Sequence, residues 1–193
     1  MSGSLPWLGL GLSSNLDAGD RPHPYRLWDA APGLFDYLEY SAPVALDEAR
    51  AQASLFEEMW RRRNEVPVLF HPVHFNLYGP ELEGEDALRA MSEHARAVGS
   101  PWVSNDVAWW HVGGEPFPGY LYLPPPLNRG GLDACAAHAL HARDVLEVPL
   151  VLENPAVTAL RGEMHVLDFM AELHRMTGCD LLLDVGHLWS YQL

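Results

Sequence analysis

A chain of 193 residues that is 48% hydrophobic carries enough apolar material for a sizeable core, and is read as a single domain over 1–193. Its 26 acidic against 12 basic residues give a formal net charge of −14, which repels phosphate backbones and anionic lipid surfaces, so neither nucleic acid nor membrane is an expected partner. No apolar run approaches the ~20 residues a bilayer requires, the N-terminus MSGSLPWLGLGLSSN lacks a basic segment, and two distant cysteines, Cys135 and Cys179, make no disulfide framework; a cytoplasmic location with reduced thiols is expected.

In chain order, the first expected strand is WLGLGLS (7–13), followed by FDYLEY (35–40). A helical pattern then covers 45–63, where Ala49, Ala53, Phe56 and Trp60 recur at helical spacing and Arg61 to Arg63 suit a C-terminal end. VPVLFH (66–71) is the third strand, and 85–98 is a helix with Leu88, Met91, Ala95 and Val98 on one stripe and Gly99 as its stop. The strand PWVSNDVAW (101–109) leads into the proline-rich loop PFPGYLYLPPPLNRGG (116–131), too long for a plain connector and expected to wall one end of the sheet. An alanine-rich helix (131–146), the strand VPLVLE (148–153), a helix (163–176) closed by Gly178 and the strand DLLLDVGH (180–187) complete the series. Strands this uniformly apolar suit a parallel sheet covered on both faces. Alternation with helices gives an α/β fold, a triosephosphate-isomerase-type (β/α) barrel with six of eight units, so the chain is expected to be a fragment or an open barrel.

The strands share a second feature: each ends in a polar group. Glu39, His71, Asp106, Glu153 and Asp184 close five of them, with His74, His111, Asn154 and His187 just beyond. Parallel α/β folds converge the C-terminal ends of their strands on one face, so these side chains are expected to meet. Carboxylates crowded together raise one another's pKa unless cations lie between them, and a metal site resolves the conflict. The candidate ligands are His71, Asp106, Glu153, Asp184 and His187; Glu39, His74, His111 and Asn154 are candidates for metal or substrate binding. A His/Asp/Glu set without thiolate suits Fe, Mn or Zn, and an excess of carboxylates suits more than one ion. His94, His138, His141, His165 and His174 sit on helical patterns and are read as core or solvated histidines. No GxGxxG, GxxxxGK[ST] or GxSxG pattern supports dinucleotide, phosphate-loop or serine-hydrolase chemistry.

Taken in order, GLGLSSN, FDYLEYSAP, LFHPVHFNLYG, WVSNDVAWW, YLPPPLN, PLVLENPAV and GCDLLLDVGH resemble the landmarks of the multinuclear non-haem iron-dependent oxidative enzymes, whose best-known member acts in methanobactin biosynthesis. The resemblance implies a barrel related to xylose isomerase and endonuclease IV and a site of two or three irons. It also implies oxidation, with dioxygen, of cysteines in ribosomally made precursor peptides, often with a partner protein delivering the peptide. It places His71, Glu153 and Asp184 on the family's ligand positions. The chain departs from the pattern at His74, where the family has glycine, at Asp106, where it has histidine, and at Asp184–His187, which resembles the D-x-x-H of the isomerase-like barrels. The alternatives are a divalent-metal hydrolase or isomerase of the endonuclease IV/xylose isomerase-like barrel group, and an inactive barrel fragment that binds a peptide or partner; Zn or Mn is the alternative to Fe as the metal.

Overall fold

A computed structural model describes residues 5–155 and 161–192. Its elements run β1 (Gly11–Ser14), α1 (Pro24–Ala30), β2 (Tyr37–Ala42), α2 (Leu46–Gln52), α3 (Phe56–Arg62), β3 (Val68–Pro72), α4 (Glu85–Val98) and β4 (Val103–Asp106). A hairpin, β5 (His111–Val112) with β6 (Glu115–Pro116), and a 3-10 turn at Pro118–Tyr120 follow. Then come α5 (Arg129–Val145), β7 (Leu150–Glu153), α6 (Val166–Thr177), β8 (Asp180–Leu182) and α7 (Val185–Gln192). Six strands form one sheet in the order β1-β2-β3-β4-β7-β8, all pairs parallel. Each strand of this sheet lies beside the next in sequence, with helices in the crossovers. That is the wall of a partial (β/α) barrel.

Burial follows position in the wall. β4 and β7 are buried at every residue, as strands covered on both faces must be. The flanking strands β1 and β8 are half-buried to exposed, and each has one neighbour among the described strands. The core lies between sheet and helices, where Leu38, Tyr40 and Phe70 meet Met59, Leu88, Met91, Leu132, Cys135, Phe169 and Leu173. Both cysteines are free and buried.

Local chemistry sets the helix ends. Gly99 (φ 77°) and Gly178 (φ 70°) close α4 and α6 in the left-handed conformation that glycine adopts at least steric cost. Asn128 starts α5 by accepting a hydrogen bond from the Gly131 amide. The helix expected over 45–63 is two helices. The Leu55 amide donates to the Leu16 carbonyl at 2.8 Å and the Ala18 amide donates to Ser54 Oγ at 2.7 Å, so the β1–α1 loop takes backbone groups a continuous helix would use. The last expected strand also stops early. β8 ends at Leu182, and Asp184 Oδ1 accepts the His187 amide at 2.7 Å, starting α7. The loop over 116–131 folds back on the segment that follows β4, where Trp109 and Leu123 exchange backbone hydrogen bonds at 2.9 Å each.

Candidate metal centre

Parallel register decides which strand residues share the inner face. Ser13 pairs beside Glu39, Ser41 beside His71, and Asp106 beside Glu153, which in turn pairs with Leu182. Because side chains alternate across a strand, Glu39 and Ser41, Ser104 and Asp106, and Leu182 and the start of the Asp184 turn recur on one face. Serines at 13, 41 and 104 keep that face short around the longer acidic and imidazole side chains.

Two groups of three side chains result, His71–Asp106–Glu153 and Glu153–Asp184–His187, with the ligand atoms of each group all within 4.8 Å of one another. Glu153 belongs to both. His71 Nδ1 stands 3.8 Å from Glu153 Oε2 and 3.2 Å from Ser104 Oγ. His187 Nδ1 is 2.8 Å from the Asn154 carbonyl, which can only accept, so Nδ1 carries a hydrogen, while Nε2 lies 3.7 Å from Asp184 Oδ2. Asn154 also clamps the Asp184 backbone, donating from Nδ2 to its carbonyl (3.1 Å) and accepting its amide at Oδ1 (2.8 Å). Asn154 thus holds the second group in place from behind.

Asp106 Oδ1 is buried without a hydrogen bond and has His187 Nδ1 at 3.4 Å. A buried carboxylate oxygen that accepts no hydrogen bond carries a desolvation cost that a cation would reduce. Electrostatics tells the same story. Burial, then the charges of Asp106, Glu39 and Asp184, pushes the Glu153 carboxyl up to about 9. Burial lifts Asp106 to about 7 against the pull of His187. His71 falls to about 4, through burial and then the neighbouring His187, leaving a neutral imidazole with a free lone pair. Burial and the Asp184 charge raise Glu39, while a Ser13 hydrogen bond opposes them. Buried acids whose pKa is raised, beside a neutral His71 imidazole, form a donor set that fits a divalent ion.

The other candidates lie elsewhere. His111 Nε2 bonds Glu83 Oε1 at 2.7 Å, and the same oxygen accepts the Asn76 amide at 2.7 Å, so His111 ties the loop after β3 to the hairpin. His138 faces the Asn76 and Gly79 carbonyls, and His141 the Glu83 carbonyl, pinning that loop to α5. His94 is fully buried against Tyr40 and the Val44 carbonyl. His74 packs edge-on to Trp110 and Tyr120 and lines a cleft of about 700 Å3 beside the centre. Ser104 and Tyr120 are additions that the sequence pattern does not single out. Ser104 carries a signal, two residues before Asp106 on one strand; Tyr120, in an irregular loop, carries none.

The sequence profile of the family described as "RiPP precursor modification enzyme MbnB/TglH/ChrH" matches residues 17–192. The chain belongs to this family. Its relatives include a UPF0276 protein of Caulobacter vibrioides, 31% identical over 187 residues, covering 95% of this chain and 63% of that protein. A UPF0276 protein of Streptomyces avermitilis is 34% identical over 179 residues, covering 88% of this chain and 35% of its own length. The chain therefore spans less than two thirds of the curated relatives it matches. Among solved structures, the TTHB071 protein of Thermus thermophilus, soaked with ZnCl2, aligns over 91% of this chain and 64% of its own at 19% identity and a TM-score of 0.43. This MbnB/TglH/ChrH-family chain thus presents its paired His/Asp/Glu groups within a family of peptide-modifying enzymes. No described helix is long and apolar enough to cross a membrane.

Proposed function

We propose that this MbnB/TglH/ChrH-family chain is the metal-binding part of an oxidative enzyme that modifies cysteine residues of a ribosomally made precursor peptide. The observation that carries the reading is the sharing of Glu153 between two three-residue groups, with a buried Asp106 oxygen in the first of them that accepts no hydrogen bond. His71, Asp106 and Glu153 would hold one ion, and Glu153, Asp184 and His187 a second, with Glu153 as the bridge. The donor set suits iron, with zinc or manganese as the ions of similar demand. A bound iron pair would supply the site for dioxygen and for a substrate thiolate.

The chain's own residues do the rest. Ser104 and Asn154 fix the orientation of His71 and His187 by bonding at their Nδ1 edges, the arrangement that sets which imidazole nitrogen faces a metal. Glu39 stands within electrostatic reach of Asp184 and Glu153 without belonging to either group, placed to hold a proton at the edge of the centre. The loop over 116–131 shields one side from water, and the cleft beside His74 and Tyr120 gives a peptide access. A peptide-delivering partner protein belongs to this proposal as well.

Metal content of anaerobically purified protein tests the centre: close to two ions per chain in the native protein, and less than about half of that in His71→Ala and Glu153→Ala, is the expected result. Aerobic incubation with a cysteine-bearing peptide encoded beside this protein, followed by mass spectrometry, tests the reaction. Native protein that retains under about 0.1 ion per chain refutes the metal centre, and an unchanged peptide mass with a full metal complement refutes the oxidation.

A further inference from the structure

His74 (φ 60°) and Tyr120 (φ 59°) are two of the three described non-glycine residues with a left-handed backbone. For such residues that conformation costs on the order of 1 kcal/mol, and it persists where the surroundings impose it. Here the two strained residues meet each other. Their rings lie 5.7 Å apart edge to face, and each also packs against Trp110, at 5.9 and 5.1 Å. Trp110 is 1% exposed, a fixed anvil, whereas Tyr120 remains 58% exposed. A ring held this firmly yet left this open is not serving the core.

Its surroundings say what it does serve. His74 and Tyr120 line the roughly 700 Å3 cleft together with Ser41, Ala42, Pro43 and Val73. Ser41 pairs in parallel register with His71 of the candidate centre, so the wall of the cleft adjoins that centre. The ring therefore faces the space from which a group would reach the centre.

We infer that Tyr120, propped by His74 and Trp110, is a substrate-positioning residue whose ring packs against the side chain that passes from the cleft to the metal centre. The inference rests on the metal-centre reading above. Its ligand is a short thiol-bearing peptide side chain with its flanking amides, and the ring supplies an apolar wall rather than a bond.

The full chain loaded with Co2+ gives the test, with N-acetyl-L-cysteine amide and azide as separate probes followed by optical titration. Tyr120→Asn removes the ring but keeps a residue that tolerates the left-handed backbone, and Tyr120→Phe keeps the ring. Loss of one well-placed aromatic contact weakens thiol binding by about tenfold. The expected result is therefore a fall of about that size in Tyr120→Asn, little change in Tyr120→Phe, and azide affinity equal in all three. Unchanged thiol affinity in Tyr120→Asn overturns the inference, as does a parallel loss of azide binding or a Phe variant as weak as Asn. A native chain that takes up no cobalt fails differently, at the first optical band, and removes the metal-centre reading together with what rests on it.

Discussion

Glu153→Gln is expected to separate the stability of the metal-free fold from its affinity for metal. In the folded chain Glu153 keeps its proton up to about pH 9, whereas in the unfolded chain it ionises near its ordinary value of 4.5. Across that interval the folded state binds more protons than the unfolded one, so stability falls as pH rises. His71, depressed to about 4 from 6.5, acts in the opposite sense: its contribution is lost on acidification between those values. The two oppose each other below about pH 6.5. Above it the acid effect is unopposed, with Asp106 adding to it up to about 7 and the buried Cys135 and Cys179 thiols, whose pKa burial raises, adding a smaller share near pH 9. Roughly 2.5 pH units at about 1.4 kcal/mol each gives about 3.5 kcal/mol, reduced to about 3 kcal/mol between pH 6.5 and 9 because the folded-state acid is half ionised at the upper limit, a large share of a typical domain's stability. Glutamine has the shape of the neutral acid and does not titrate. Urea unfolding with EDTA present, followed by tryptophan fluorescence at both pH values, should show that loss in the native chain and less than about 1 kcal/mol in Glu153→Gln. The variant should retain little metal. Parallel slopes in the two proteins would refute the argument that Glu153 is buried as a neutral acid awaiting a cation.

Two further outcomes are expected. His111→Gln, which removes the imidazole that bonds Glu83, should leave metal content unchanged while increasing protease sensitivity of the loop after β3; a loss of metal would move His111 into the centre. Asn154→Ala removes both hydrogen bonds to the Asp184 backbone and should destabilise the fold by about 2 kcal/mol in urea unfolding, with weaker metal retention than the native chain; unaltered stability would show that the clamp is not needed.

What the sequence makes legible follows from where a single force dominates. The helix expected over 85–98 is found at Glu85–Val98, because its apolar stripe, acidic first turn and terminal glycine all agree. The buried strands that carry His71 and Glu153 at their C-terminal ends are readable for the same reason, since a polar group that halts an apolar run inside a protein needs a partner there. Elements shaped by long-range contacts are not. The break at Ser54 depends on the Leu16 carbonyl nearly forty residues earlier, which no local pattern contains. The seven-residue α1 is too short for its apolar residues Tyr25, Leu27 and Trp28 to repeat as a stripe, and its His23 cap is an unusual one. In LLLDVGHLW, hydrophobicity runs on past the strand and masks the capping role of Asp184, which is present only in its spacing to His187. Among the candidate site residues, spacing could gather those at strand ends but could not separate His187, drawn inward by Asn154, from His111, turned aside by Glu83.

The position of Asp184 and His187 has a mechanical side. Both sit on the outermost β-α unit, whose strand β8 touches only β7 among the described strands and shows Leu181 and Leu183 to solvent. An ion gripped by Glu153, Asp184 and His187 would rivet that loosely held flank to the interior of the wall. Cofactor loading and the docking of α7 then become one event, and a preparation stripped of its ions would fray first at this end.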